Sequence, residues 1–426
     1  MTSITRRDLL RTGAFAGLAV MLGRPGIAWA ESHGGQARNL ILVWANGGWD
    51  PTFVFEIKPG LSTVVMPPGE IAMVGDLPIW ASEQRPAVSS FFDAWGASTT
   101  IVNGINVPSV AHPGCRVRML TGFRESGHAD VGAIAGHELS ANLPLPYLVM
   151  GDTGYVGALG TSVGRVGRSN QLKALLDGAD AYLPAPGHFD APLPPNASEA
   201  GLIRQHLLAS AERQRLVRGA EGYNKARIDD FVSSLTRSDQ LVAKSGLMKS
   251  GKKQLTFADQ IEITVDALEQ GLSRTAMIDG RLNWDTHANN AQQGGFYNEL
   301  FQALDDLAQA LAERPGAAPG HSLLDETVVV AMSEMGRTPL TNSANGKDHW
   351  PVTSAMVFGA GVKGESTCGA TDDTMLAMDI DMNTGAPSDL GEALYPENLL
   401  AGLLELVGVD PTPHFPGIQP LRGFHA

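Results

Sequence analysis

Two runs of apolar residues constrain this chain most: NLILVWA at residues 39–45 and TVVVAM at residues 327–332. Each is continuous rather than alternating, and each ends in a glycine-containing segment, NGG at 46–48 and SEMG at 333–336. A strand with one wet face alternates apolar and polar residues. A continuous apolar strand is buried on both faces, as in a parallel sheet covered by helices. Residues 100–104 and 355–359 read as further strands of this kind. Between them lie helical patterns, the clearest being Phe296, Leu300, Leu304, Leu307 and Leu311, with Glu299, Asp305, Asp306 and Glu313 off that stripe. Residues 398–407, NLLAGLLELV, read as a closing amphipathic helix. Strands alternating with helices predict an α/β fold, a mostly parallel sheet with helices on both faces. Sites in such sheets form beyond the carboxyl ends of the strands, so the segments after these runs are where chemistry is expected.

The N-terminus belongs to something else. Thr5-Arg6-Arg7-Asp8-Leu9-Leu10, an apolar run from Ala14 to Leu22 and Ala28-Trp29-Ala30 read as a twin-arginine export signal, cleaved after Ala30. That predicts one domain over residues 31–426, the twin-arginine translocase as a partner during export, and a periplasmic or secreted destination. The apolar run is too short to span a bilayer comfortably, and no later segment approaches membrane length. The four Arg and one Asp of the signal carry +3, which leaves the rest of the −14 chain at −17. Such acidity excludes a general nucleic-acid binder, which needs a basic footprint. Cys115 and Cys368 are the only cysteines. They allow one disulfide but give neither a disulfide framework nor a zinc-type cluster. Residues 197–275 differ in texture, being charge-mixed and helix-favouring, with basic residues at Lys249, Lys252 and Lys253. This stretch reads as a helical insertion, either a cap beside the site or a solvated arm.

Four clusters can carry chemistry. NGGWD at 46–50 follows the first strand, and its glycines let a ligand approach the backbone closely. Asp285 and His287, in NWDTHANN, are a carboxylate and an imidazole two residues apart, a sensible pair of divalent-metal ligands or else a helix cap with a surface histidine. Glu334 and Arg337, in SEMGR, lie just past the central strand, where Arg337 can hold an anion or pair with Glu334. Lys347, Asp348 and His349 place a cation, a carboxylate and an imidazole in consecutive positions before another strand.

In this order the clusters resemble the alkaline phosphatase and sulfatase superfamily. Residues 39–48 resemble its opening strand and metal-binding turn. Residues 112–122, HPGCRVRMLTG, resemble its nucleophile helix, with Arg116, Leu120, Thr121 and Gly122 at matching spacing. Asp285, His287 and His349 resemble the ligands of one metal site, and Glu334 stands where sulfatases show Asp. The twin-arginine signal with GGWD, DTH, SEMGRTP and GKDHW is more closely similar to the exported family of unknown function fifteen-zero-one, placed in that superfamily. The resemblance implies an alkaline phosphatase-like three-layer sandwich and one or two divalent metal ions. Departures from the pattern are informative. Asn46 stands where a metal-binding Asp is usual, leaving Asp50 as its nearby substitute. Met335 follows Glu334 where His or Asn is usual, and His112 replaces the hydroxyl or cysteine nucleophile. A site built from Asp285, His287 and His349 is therefore better supported than a second built from Asp50 and Glu334, with Asp348 a further candidate ligand.

The reading these features give is a metal-dependent hydrolase of small phosphate or sulfate esters. Arg116 and Arg337, with Lys347, would offset charge developing on the transferred group. His112 is a covalent nucleophile, a metal ligand or a general base, the last two being favoured. Ser109 is a lesser nucleophile candidate. The alternative is a metal-stabilised binding or assembly protein on the same fold, which the absence of the usual nucleophile favours. No G-x-G-x-x-G opens the fold, which makes a dinucleotide-dependent redox enzyme the most distant reading.

Overall fold

A computed structural model describes residues 37–140, 142–166, 195–219, 221–243 and 255–426. The segment read as an export signal, residues 1–30, and Lys249, Lys252 and Lys253 lie outside the described residues. In chain order the elements are β1 (Asn39–Trp44), a β2 (Glu70–Val74) and β3 (Leu77–Ala81) hairpin, α1 (Pro86–Trp95), β4 (Thr99–Asn106), α2 (His112–Thr121), α3 (Val131–Ser140), β5 (Tyr147–Met150) and β6 (Val163–Val166). There follow α4 (Ala197–Arg218), α5 (Gly222–Ala243), α6 (Phe257–Glu269), β7 (Thr275–Asp279), α7 (Gln293–Glu313) and β8 (Thr327–Met332). The chain finishes through β9 (Gly336–Arg337), β10 (His349–Trp350), β11 (Val352–Gly359), β12 (Ser366–Cys368), β13 (Asp379–Ile380), β14 (Glu392–Ala393) and α8 (Pro396–Leu406).

Eight strands form the main sheet in the order β12-β4-β11-β8-β1-β7-β5-β6. All neighbours pair in parallel except β11, which is antiparallel to both β4 and β8. Successive side chains on a strand point to opposite faces, and the two cores divide accordingly. Ile41 and Val43 face one core with Phe91 of α1, Ile261 of α6 and Leu304 of α7. Leu40, Leu42 and Trp44 face the other, with Met119 of α2, Val131 of α3 and Leu400 of α8. The fold is thus a three-layer α/β sandwich with a mostly parallel sheet, as the continuous apolar runs require. Among the described residues no helix is long and apolar enough to cross a membrane.

Four strands of the main sheet, β5, β6, β7 and β12, escape a reading of the sequence. β7 and β5 lie next to β1 and next to β7 in the sheet, yet both are short. The stretch expected as a helical insertion contains helices of two kinds. α6 packs on the sheet face, with Ile261, Val265 and Leu268 in the core. α4 and α5 instead pair with each other and leave Leu202, Leu216 and Val217 exposed. Cys115 and Cys368 are both free and buried. Ser109 Oγ accepts from Ala111 N at 3.2 Å and so serves the loop leading into α2.

Candidate metal centre

The site forms where β1 and β8 end. After β1 the chain turns through Gly47 and Gly48, at φ of 123° and 83°, which L side chains rarely adopt. A Cβ on Gly47 would also lie 2.7 Å from the backbone nitrogen of Asp285, so only glycine lets the two loops touch. The turn is stapled to the end of β8. Gly47 N donates to both oxygens of Glu334 at 2.9 Å, and Ser333 Oγ accepts from Gly48 N and Trp49 N at 3.1 and 3.2 Å. The loop carrying Asp285 and His287 is joined to the loop carrying Asp348 and His349 by backbone bonds. Lys347 N donates to Thr286 O at 3.2 Å, and Asn290 N to Asn345 O at 2.9 Å. The antiparallel sense of β11 completes the arrangement. A strand leaving this edge of the sheet places its first residues beside the last residues of β8.

Asp285 is the hub. Its Oδ1 lies 3.1 Å from His287 Nε2, 3.3 Å from His349 Nε2 and 2.8 Å from Arg337 Nη2, while Oδ2 lies 3.3 Å from His112 Nε2. His112, Asp285 and His349 form a group able to hold a metal ion, and His287 extends it. Behind each ring stands an acceptor. His112 Nδ1 meets Glu334 Oε1 at 3.0 Å, His287 Nδ1 meets Asp348 Oδ1 at 2.7 Å, and His349 Nδ1 meets the carbonyl of Val110 at 2.6 Å. A carbonyl or a carboxylate accepts from each Nδ1, which leaves each Nε2 facing inward. His287 Nε2 and His349 Nε2 are only 2.9 Å apart. At that separation the two nitrogens are joined by a proton on one of them or by a cation between them. His112 Nε2 is buried without a hydrogen bond, because its approach to Asp285 is near but poorly aligned. Donor separations of 2.9–3.3 Å match the edge of a tetrahedron around a divalent ion, which is about 3.3 Å for bonds of 2.0–2.1 Å. Imidazoles backed by acceptors are also the usual second layer of a metal site. The residues present fit a divalent cation.

The protonation states agree with this geometry. Burial works to raise the pKa of Asp285, but the Arg337 guanidinium, the His349 hydrogen bond and the charge of His112 hold it at about 2. Its hydrogen bond from His287, with a second from Asn342, lowers Asp348 below the ordinary value. The bond to Glu334 raises His112 against the opposing effect of burial. Glu334 itself is fully buried.

The other candidate residues fall in different places. Asp50 and Lys347 do not join the cluster but pair with each other, Nζ to Oδ2 at 2.8 Å, with both side chains buried. The remaining partners of Asp50 are Thr52, at 2.7 and 3.1 Å, and Asn290, at 2.7 Å. Its carboxylate therefore meets Lys347, Thr52 and Asn290, while Glu334 meets His112 and Gly47; the two do not share a site. Arg337 touches the cluster from behind. It is fully buried, and besides Asp285 it donates to the carbonyls of Gly47, Gly48, Trp284 and Lys347. Arg116 stands one turn along α2 from His112. Its Nε reaches the His112 carbonyl at 3.4 Å, and its terminal nitrogens bond to no described residue. The sequence reading missed the Val110 carbonyl, Asn342 and Ser333. No local signal marks the carbonyl, since any residue supplies one.

A model of the family described as protein of unknown function (DUF1501) matches residues 37–419, and the chain belongs to that family. No curated protein matches it. Among solved structures it is similar to alkaline phosphatase from the Antarctic bacterium TAB5, at 10% identity and a TM-score of 0.33 over 76% of this chain and 93% of that one. It is similar also to a protein in the alkaline phosphatase superfamily from Vibrio parahaemolyticus, at 9% identity and a TM-score of 0.38 over 91% and 71%. A 2-O GAG sulfatase gives 11% identity and a TM-score of 0.36 over 91% and 75%. These likenesses are of general outline, and no correspondence of residues is drawn from them.

Proposed function

We propose that this protein is an exported, divalent-metal-dependent hydrolase of phosphate or sulfate esters. One observation carries the reading: three imidazoles, each with Nδ1 tied back to an acceptor, turn their Nε2 atoms toward one ionised carboxylate. Asp285, His287 and His349 would hold the ion. Bound there, a divalent cation supplies Lewis acidity toward an ester oxygen and acidity to water.

The chain's own residues do the rest. Glu334, buried and anchored by Gly47 N, orients His112 so that Nε2 faces the cluster and exchanges a proton there. Arg116, whose terminal nitrogens bond to no described residue, would meet the anionic group. Arg337 keeps Asp285 ionised, and with Lys347 it builds the site rather than touching substrate. Arg6, Arg7 and the apolar run that follows them support export through the twin-arginine translocase to a periplasmic or secreted location.

Purified without chelators, the protein should carry about one divalent ion per chain by elemental analysis, and metal-free protein would sink the reading. A screen of aryl phosphates and sulfates then tests catalysis. His112→Ala should keep the ion and lose turnover; loss of the ion instead makes His112 a ligand. A second reading, a metal-stabilised binding protein, draws on the absence of a hydroxyl or thiol at position 112. Metal without turnover on any ester would favour it.

A further inference from the structure

The cluster opens onto a rim that is apolar and acidic. Val110, whose carbonyl holds His349, is 50% exposed. Leu340 is 52% exposed, and its carbonyl accepts from Thr338 Oγ1, the group that also receives Asp348 N at 3.0 Å. Two residues on, Asn342 Nδ2 bonds both the His287 carbonyl and the Asp348 carboxylate, at 3.0 and 3.2 Å. Val65, 41% exposed, gives its N–H to Pro339 O at 2.8 Å. Leu376 and Met378, 45% and 40% exposed, lie on a loop fixed by Trp350 Nε1 to the Met375 carbonyl at 2.7 Å, beside His349. Thr63 Oγ1 ties the Val65 segment to that same loop through Asp373 O at 2.5 Å. Four segments that hold or flank the site residues thus each turn an apolar side chain to solvent. Single exposed apolar residues are ordinary, but several on segments that hold or flank one group of ligands mark a binding surface.

Charge limits what can bind there. Asp372 and Asp373 stand exposed on the loop that carries Leu376, and Lys58 Nζ donates to Thr371 O there at 2.8 Å, so carboxylates outnumber that cation on the loop. A polyanion such as a sulfated glycan would be repelled along its length, whereas one compact anionic group at the cluster would not. We infer that the substrate is amphiphilic: a single phosphate or sulfate ester head on an alkyl chain, with the chain lying on Val65, Val110, Leu340, Leu376 and Met378. This rests on the hydrolase reading, because the metal cluster and Arg116 take the head group.

Alkylphosphonates from ethyl to octyl, used below their aggregation concentrations, are suitable probes because a phosphonate has no ester to cleave. Binding to the zinc-loaded protein by calorimetry should tighten with each methylene, by up to about fourfold where it is fully buried. Leu340→Asp and Leu376→Asp should flatten the series and leave ethylphosphonate binding unchanged. Leu216→Asp, on exposed α4, should alter nothing. A flat series with ethylphosphonate still bound overturns the inference and leaves the hydrolase reading standing. A rise that survives both rim substitutions also overturns it. Failure of every member to bind overturns the hydrolase reading and this inference together.

Discussion

Two groups of charged residues lie against the same glycine turn, and each is built around an aspartate with basic partners. On one side Asp50, Lys347 and Arg337 are fully buried, and Asn290, Thr52 and five backbone carbonyls complete their bonds. On the other, Asp285, His112, His287 and His349 are partly open to solvent, and their Nε2 atoms face one another without enough protons to go round. The first group is satisfied without any ligand and is architecture. The second could also hold a cation. What separates a site from a scaffold here is completeness of bonding, not residue identity.

Substitutions on the two sides should therefore fail differently. Asp285→Ala should have the largest effect, abolishing metal binding by elemental analysis because it removes the hub of all three imidazoles. If the variant still binds one ion per chain, the two groups are not distinct in the way described. Lys347→Met should cost about 3–5 kcal/mol of unfolding free energy, the penalty for stranding a buried carboxylate. Denaturant titration reads that loss, and the fraction that folds should bind metal normally. Glu334→Gln should weaken metal affinity by about 10–100-fold, as loss of a ring-orienting partner does, with little change in thermal stability of the metal-free protein. Asp348→Asn, at an exposed carboxylate, should sit at or below the lower end of that range.

The pH dependence sharpens the contrast. His112 has a folded pKa above its unfolded value, so in metal-free protein its contribution to stability is full below about 6.5 and fades as pH rises through the raised value. Asp285 acts in the opposite sense: its contribution is present above the ordinary carboxylate range and is lost as pH falls toward about 2. Metal competes with the protons on Nε2, so affinity should fall as pH drops below neutrality. Proton NMR of the histidine rings in metal-free protein, with and without Glu334→Gln, checks the first statement. A His112 ring that titrates at its ordinary value in both would refute it.

How much of this the sequence reveals follows the same divide. The runs before Asn46 and Ser333 announce buried strands because burial on both faces leaves no polar positions. Asp285, His287, Glu334, Asp348 and His349 stand out by type and by their place after strands. Asp50 has the type and place of a ligand and Lys347 those of a charge-offsetting cation, and the sequence cannot tell either from a residue of the site. Whether a carboxylate meets a lysine or an open cleft depends on loops that pack together from distant parts of the chain. β7 is hidden for a different reason: five residues ending in Asp279, next to a long charge-mixed stretch, carry too little pattern to separate from it.

The pairing of His112 with Glu334 spans 222 positions, and Lys347 reaches Thr52 across 295. No fragment ending before His349 contains the whole cluster. An ion held there would report completed topology, because its site needs residues from 112 to 349 brought together, and its binding free energy would add to the stability of the whole fold. A chelator should accordingly lower the melting temperature of the whole sandwich in one transition, rather than loosening the loops that hold the metal.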